Sequence, residues 1–141
     1  MQLKSFLQKS RGQVSLEYLV IVAFMLVAVA ILSIYSFTYL GETISIQKTQ
    51  NAADKITNAA DSVAALGSGN TSVIQVELPP GVGTVDIIGH QVTFTLQTGI
   101  GSNSVSSYSE AQLTPASISS ETGFHTLSIA SIDSNVVVTE V

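Results

Sequence analysis

Residues 18–41 read YLVIVAFMLVAVAILSIYSFTYLG, a run without a single charged side chain. As a helix rising about 1.5 Å per residue it covers about 36 Å, more than the roughly 30 Å of a bilayer's hydrocarbon core. The run is apolar on every face, and the rest of a 141-residue chain is too small to enclose it. It belongs in lipid or against copies of itself. A secretory signal would have a shorter apolar region closed by an A-x-A-like cleavage site, and no such site follows here.

On the N-terminal side, Lys4, Lys9 and Arg11 precede the run, and the next basic residue is Lys48. From residue 13 onward two basic residues face ten acids, a balance of −8 within a whole-chain charge of −5. Basic residues just before an apolar span predict a cytoplasmic N-terminus and an external body. An acidic body lacks the basic face that displaces counterions from phosphates, so no nucleic-acid partner is expected. The chain has no cysteine, which removes disulfides, thiolate metal sites and a cysteine nucleophile.

The segment joining the basic stub to the span is QKSRGQVSLEYLVI, residues 8–21. Gly12 follows the last basic residue, and without a side chain it lets a peptidase approach the backbone closely. Glu17 stands one position before the uncharged run. A carboxylate at the end of an apolar helix is costly once buried, unless a positive group meets it. In a first helical turn the same charge also complements the helix dipole.

This segment resembles the type III signal peptide of archaeal type IV-like pilins, which a membrane prepilin peptidase cuts on the cytoplasmic side. The family pattern after the cut is Gln, any, Ser, any, Glu, three of any, Leu. Gln13, Ser15 and Glu17 match in register, and Ile21 stands where Leu is usual. The resemblance implies cleavage between Gly12 and Gln13. It also implies a role for Glu17 in setting the register between subunits, with the new α-amino group on Gln13 as its candidate partner. Cyclisation of Gln13 to pyroglutamate would delete that amine.

Beyond Gly41 no proline occurs before Pro79, and residues 42–66 are rich in alanine. The pattern predicts one helix from about residue 14 to 66. Gly41 is its soft point, since glycine costs about 1 kcal/mol relative to alanine in a helix. Ala52, Ile56, Ala59, Val63 and Leu66 form an apolar stripe expected to pack on the chain's own head, while Asp54, Lys55, Asn58 and Asp61 fall on other faces. Gly67 supplies the C-cap.

Residues 71–141 alternate in the manner of strands. SVIQVEL leads into a PPGVG turn, Gly89-His90 is a candidate tight turn into QVTFTLQT, and FHTLSIA and NVVVTEV flank IDSN as a final hairpin. Five to seven short strands are expected. The fold class is therefore α+β: a long N-terminal helix, apolar then amphipathic, followed by a small antiparallel β-sandwich or barrel-like head. The resemblance implies the same lollipop. The segments are a leader at 1–12, an apolar transmembrane or filament-core helix at 13–41, an amphipathic continuation at 42–67 and a head at 71–141.

No catalytic constellation is present. His90 and His125 read as surface residues, with neither HExxH nor a triad around them. Asp133 and Asn135 read as turn formers, not calcium ligands. Gly81 and Gly83 belong to a turn without the GKS/GKT of a phosphate loop. No enzyme activity, metal or cofactor is expected. Asn70-Thr71-Ser72 is the one N-glycosylation sequon and makes Asn70 a candidate acceptor.

The function expected is that of a pilin, the structural subunit of an archaeal type IV-like adhesion pilus. The resemblance supplies its partners: further copies of the chain, the membrane before assembly, the prepilin peptidase, and the pilus assembly ATPase and platform. Its place is a cell-surface filament, reached from a membrane-anchored precursor. The alternatives are an uncleaved single-pass protein presenting an extracellular binding domain, and an archaellin, whose post-cleavage segment usually lacks Q-x-S-x-E.

Overall fold

The computed structural model describes the backbone of residues 3–99 and 101–141 and the side chains of residues 15–99 and 101–141. One helix, α1 (Leu3–Leu66), is followed by strands β1 (Thr71–Leu78), β2 (Val82–Thr98), β3 (Gly101–Ser117), β4 (Gly123–Ile132) and β5 (Asn135–Glu140). The helix starts earlier than the position near 14 that the pattern suggests. The chain divides into two compact units, the first ending at Gly41 and the second running Glu42–Val141.

In the second unit the strands form one five-stranded sheet of order β1-β4-β5-β3-β2. All pairs are antiparallel except β3 with β5. The latest strand in the chain, β5, therefore lies at the centre. The head is α+β, but its strands belong to one sheet and not to the two of a sandwich. The face that a second sheet would cover is covered by the helix, through Ala52, Ala53, Ile56, Ala60 and Val63. Alanine at three of these five positions lets the helix axis come close to the sheet. Leu78, Ile87, Phe94, Leu96, Leu113, Leu127, Ile129 and Val136 fill the core from the strands.

Two members of the expected stripe behave differently. Ala59 is only partly buried, and Leu66 is 72% exposed because it is the last helical residue. Thr49 and Thr57 are buried in the helix instead. Their hydroxyls return to the helix backbone, at Ser45 O (2.9 Å) and Ala53 O (3.2 Å), so burial leaves no orphaned donor. The helix ends as read: Gly67 takes φ +89°, and Asn70 Nδ2 donates to Leu66 O (2.9 Å) and Gly67 O (3.0 Å).

Strand β2 is one hydrogen-bonded element, yet it folds back on itself. Sixteen extended residues would span about 53 Å, whereas Gln97 N donates to Gly81 O at 2.7 Å. The bend lies at Gly89, which takes φ +62° and has a register shift on either side. The turn expected at Gly89-His90 is thus a corner inside a strand, and the sheet curls there while staying open, with β1 and β2 at its two edges. β3 follows the longer path round it: between Gly89↔Leu113 and Gln91↔Tyr108, two steps on β2 correspond to five on β3.

The surplus residues of β3 need partners from outside the ladder. Asp61 of the helix provides them, its Oδ1 accepting from Ser109 Oγ (2.5 Å) and Ala111 N (3.1 Å). One helical repeat earlier, Asp54 Oδ1 accepts from Ser107 Oγ (2.8 Å). On the opposite side of the helix, Lys48 Nζ meets Glu77 Oε1 and Lys55 Nζ donates to Gln75 O, both at 2.8 Å, on β1. Of the polar residues read as lying off the stripe, Asp54 and Asp61 form a flank tied to β3 and Lys55 a flank tied to the edge strand β1, while Asn58 is exposed.

Of the two histidines, His90 is exposed as expected, and its Nδ1 lies 3.0 Å from Ala111 O. His125 is not a surface residue. It points inward from β4 in the same row as Leu127 and Ile129 and is only 8% exposed. Its Nδ1 lies 2.5 Å from Glu140 Oε1 and its Nε2 lies 2.7 Å from Glu121 O. Two acceptors need two donors, so the ring is held as the imidazolium. Glu140 Oε2 accepts in addition from Ser119 N at 3.0 Å. The hydrogen bond to Glu140 raises the His125 pKa above 6.5, against the opposing pull of burial. The same bond, helped by Ser119 N–H, lowers Glu140 below 4.5. At the β4–β5 link, Asp133 (φ +46°) and Ser134 (φ +70°) form a two-residue turn of the mirror-image type that suits twisted hairpins.

Two predictions follow from this packing. A fragment starting at Glu42 should fold alone. In it, Ile56→Ala should cost about 2–5 kcal/mol in urea unfolding, whereas Leu66→Ala should stay within about 0.5 kcal/mol of the parent. The His125–Glu140 pair supplies the second. The raised histidine contributes stability below pH 6.5 that is lost as pH rises through its folded-state pKa, and the lowered carboxylate contributes stability that is lost as acid protonates it. The stability gap between the parent and His125→Gln should therefore be widest between about pH 5 and 6 and shrink as pH rises through the raised histidine pKa. A gap constant across that range would mean the imidazolium adds nothing.

Candidate functional site: the apolar helix

The first unit exposes what a lone soluble domain would hide. Every side chain from Ser15 to Gly41 is exposed apart from a half-buried Ser33. The exposed set includes Phe24 and Phe37 at 75% and Tyr35 at 77%. This surface far exceeds the roughly 300–600 Å² of the largest apolar patch on a typical soluble monomer. Helix formation has already satisfied the backbone, and two of the hydroxyls turn back onto it. Ser33 Oγ donates to Val29 O (2.8 Å) and Thr38 Oγ1 to Ile34 O (3.1 Å). Internal satisfaction of the backbone is what a hydrocarbon core requires of a segment that enters it. It is the one helix among the described residues long and apolar enough to cross a membrane, with a mean hydropathy of 2.7 in its best window.

Glu17 interrupts that surface at its N-terminal end. It is exposed, lies four residues before Ile21 and so shares a helix face with it, and has no cation bonded to it among the described residues. Ser15 lies in the same turn and is also exposed. The side chain of Gln13, like the position of Gly12, lies outside the residues described at side-chain level, so the cut and the amine expected to meet Glu17 fall there.

Gly41 stands where the first unit ends. The helix continues through it, and a Cβ placed there would meet nothing within 4 Å, so close packing is not what calls for glycine. Asn70 is exposed, but the amide nitrogen that would carry a glycan already spends both hydrogens on Leu66 O and Gly67 O. Attachment would leave one. No three of His, Asp and Glu come together to hold a metal ion among the described residues.

Sequence reasoning missed the flank ties and the histidine clasp. The signal for the flanks was present: Lys48 and Lys55, and likewise Asp54 and Asp61, are seven residues apart, which places each pair on one side of a helix. The clasp had no local signal, because His125 and Glu140 meet only through the pairing of β4 with β5.

A family model for the class III signal peptide matches residues 10–35, which takes in Gln13, Ser15 and Glu17 and the uncharged run as far as Tyr35. No curated protein and no solved structure matches the chain. A signal peptide of this class implies processing by a prepilin peptidase and marks type IV-like pilin or archaellin-type precursors. A class III signal peptide leading into a long, exposed, apolar N-terminal helix fits a type IV-like pilin.

Proposed function

We propose that this chain is the structural subunit of an archaeal type IV-like adhesion pilus. Residues 1–12 are a leader removed at Gly12–Gln13, and residues 13–41 hold the subunit in the membrane until assembly and then form the filament core. Residues 42–67 support the head at 71–141, which is displayed for attachment to surfaces or other cells. The observation that carries this reading is the juxtaposition of a class III signal peptide with an uncharged helix exposed on all sides. In a filament, neighbouring helices replace lipid around that surface, and the apolar burial drives assembly.

Glu17 is then the register element. Once the helices bundle, its carboxylate leaves water and has to meet a cation, and the α-amino group of a cleaved Gln13 lies within the same turn or on a neighbour. The Q-x-S-x-E arrangement favours the pilin over an archaellin. The head contributes a hydroxyl-rich exterior, and Asn70 is its acceptor for a glycan, at the expense of part of the helix cap. The subunit itself performs no chemistry and is a substrate of the peptidase.

The test is intact mass and N-terminal sequencing of protein sheared from the cell surface. A chain beginning at Gln13, or at its pyroglutamate, is expected; a chain beginning at Met1 and confined to membranes would establish the anchored receptor instead. Gly12→Val should leave a full-length precursor and no filaments. Glu17→Ala should be cleaved normally yet reduce incorporation by at least about tenfold, the scale of leaving a buried charge partner unmatched. Abundant Glu17→Ala filaments would remove the carboxylate from the register.

A further inference from the structure

The chain from residue 13 onward carries two basic side chains against ten acidic ones, and the structure places both in one spot. Lys48 and Lys55 line a cleft of about 180 Å³ between the helix and β1, with Asn51, Ala52, Val76 and Glu77. Here β1 is the outermost strand of the sheet. The salt bridge from Lys48 to Glu77 is open to solvent, the two side chains being 45% and 47% exposed. Lys55, also exposed, spends one donor on Gln75 O and has no carboxylate bonded to it among the described residues. Two lysines and one glutamate leave this cleft with a net positive charge on a strongly negative body.

The opposite flank has the reverse character. Asp54 and Asp61 are turned inward onto Ser107, Ser109 and Ala111. Between the last two residues, Glu110 is exposed at the corner of β3. The head is thus electrically polar across its helix, basic beside β1 and acidic beside β3.

We infer that the lysine cleft is a docking surface for a second copy of this chain, received through the acidic flank around Glu110. Charge complementarity selects the occupant. Two bodies of this charge repel in most orientations, and this cleft is the place where each offers the other an attractive field. The two patches lie on different faces of the same subunit, so the contact is heterologous: it leaves a cleft open on one end and an acidic flank on the other. Such contacts propagate instead of closing into a dimer. The inference rests on the filament reading and adds to it a contact made by the heads, separate from the apolar helix.

The experiment compares filaments of the full chain, wild type against Lys55→Glu, Glu110→Lys and the double exchange. Each single reversal sets like charges face to face at positions 55 and 110 and should weaken assembly at least about tenfold, read as filament yield and as subunit release in rising salt. The double variant exchanges the two charges across the contact, so position 55 of one copy and position 110 of the next are complementary again, and it should recover most of the yield. That recovery also shows that the single variants had not failed by misfolding. Single variants that assemble and resist salt like wild type would overturn the proposal while leaving the filament reading intact. A double variant that is processed at Gly12, β-rich by circular dichroism and still unable to assemble would overturn it equally. A wild-type chain that never assembles would sink the filament reading itself, and this contact with it.

Discussion

One helix has to satisfy two different surroundings, and the rest of the structure is arranged around that demand. Along residues 18–41 the absence of charge on every face requires an apolar environment all round. From Thr49 to Val63 the requirement is one-sided, with small residues and one isoleucine against the sheet and charged groups along the two borders of that face. Because the helix itself supplies the second layer of the head, a single sheet suffices for a core. That sheet need cover only about four turns of the helix.

A helix laid on a curled sheet leaves polar loose ends, and ionised side chains at the border between core and solvent resolve them. Asp61 takes the donors that β3 leaves free at its corner, and Lys55 takes a carbonyl on the edge of β1. The histidine clasp joins the loop after β3, through Glu121 O and Ser119 N, to the end of β5. No buried side-chain polar atom among the described residues lacks a partner. These ties fix where the helix sits on the sheet; the apolar core, which is indifferent to small slides, does not.

Much of this was legible from the chain. The uncharged run announces itself by composition, the class III signal peptide by the spacing of Gln13, Ser15 and Glu17, the helix end by Gly67, and the strands by alternation. The final hairpin is visible in IDSN because two left-handed residues need short polar side chains. What escaped depends on partners distant in sequence. Leu66 continues the apolar period, but the helix stops there, so periodicity alone assigns it to the core wrongly. His125 and Glu140 lie fifteen residues apart and meet through a strand pairing that no local pattern encodes. The corner at Gly89 could be read as a turn, but not that β3 would go round it with extra residues and resume pairing on the far side. The expectation of a sandwich came from counting strands without knowing that the helix would take the place of a second sheet.

The position of β5 bears on when the head can fold. It is the latest strand in the chain, yet it joins β4 on one side to β3 on the other. Until it arrives, the sheet consists of two unconnected hydrogen-bonded parts, β1 with β4 and β2 with β3, each with an apolar side and no stable core. A chain emerging N-terminus first therefore gains its tertiary structure late, after the segment around residues 135–140 is free to enter. In the exported subunit proposed above, folding that waits for β5 would keep the polypeptide pliable while it threads through a translocation channel and leave a partly exported head with little to jam there.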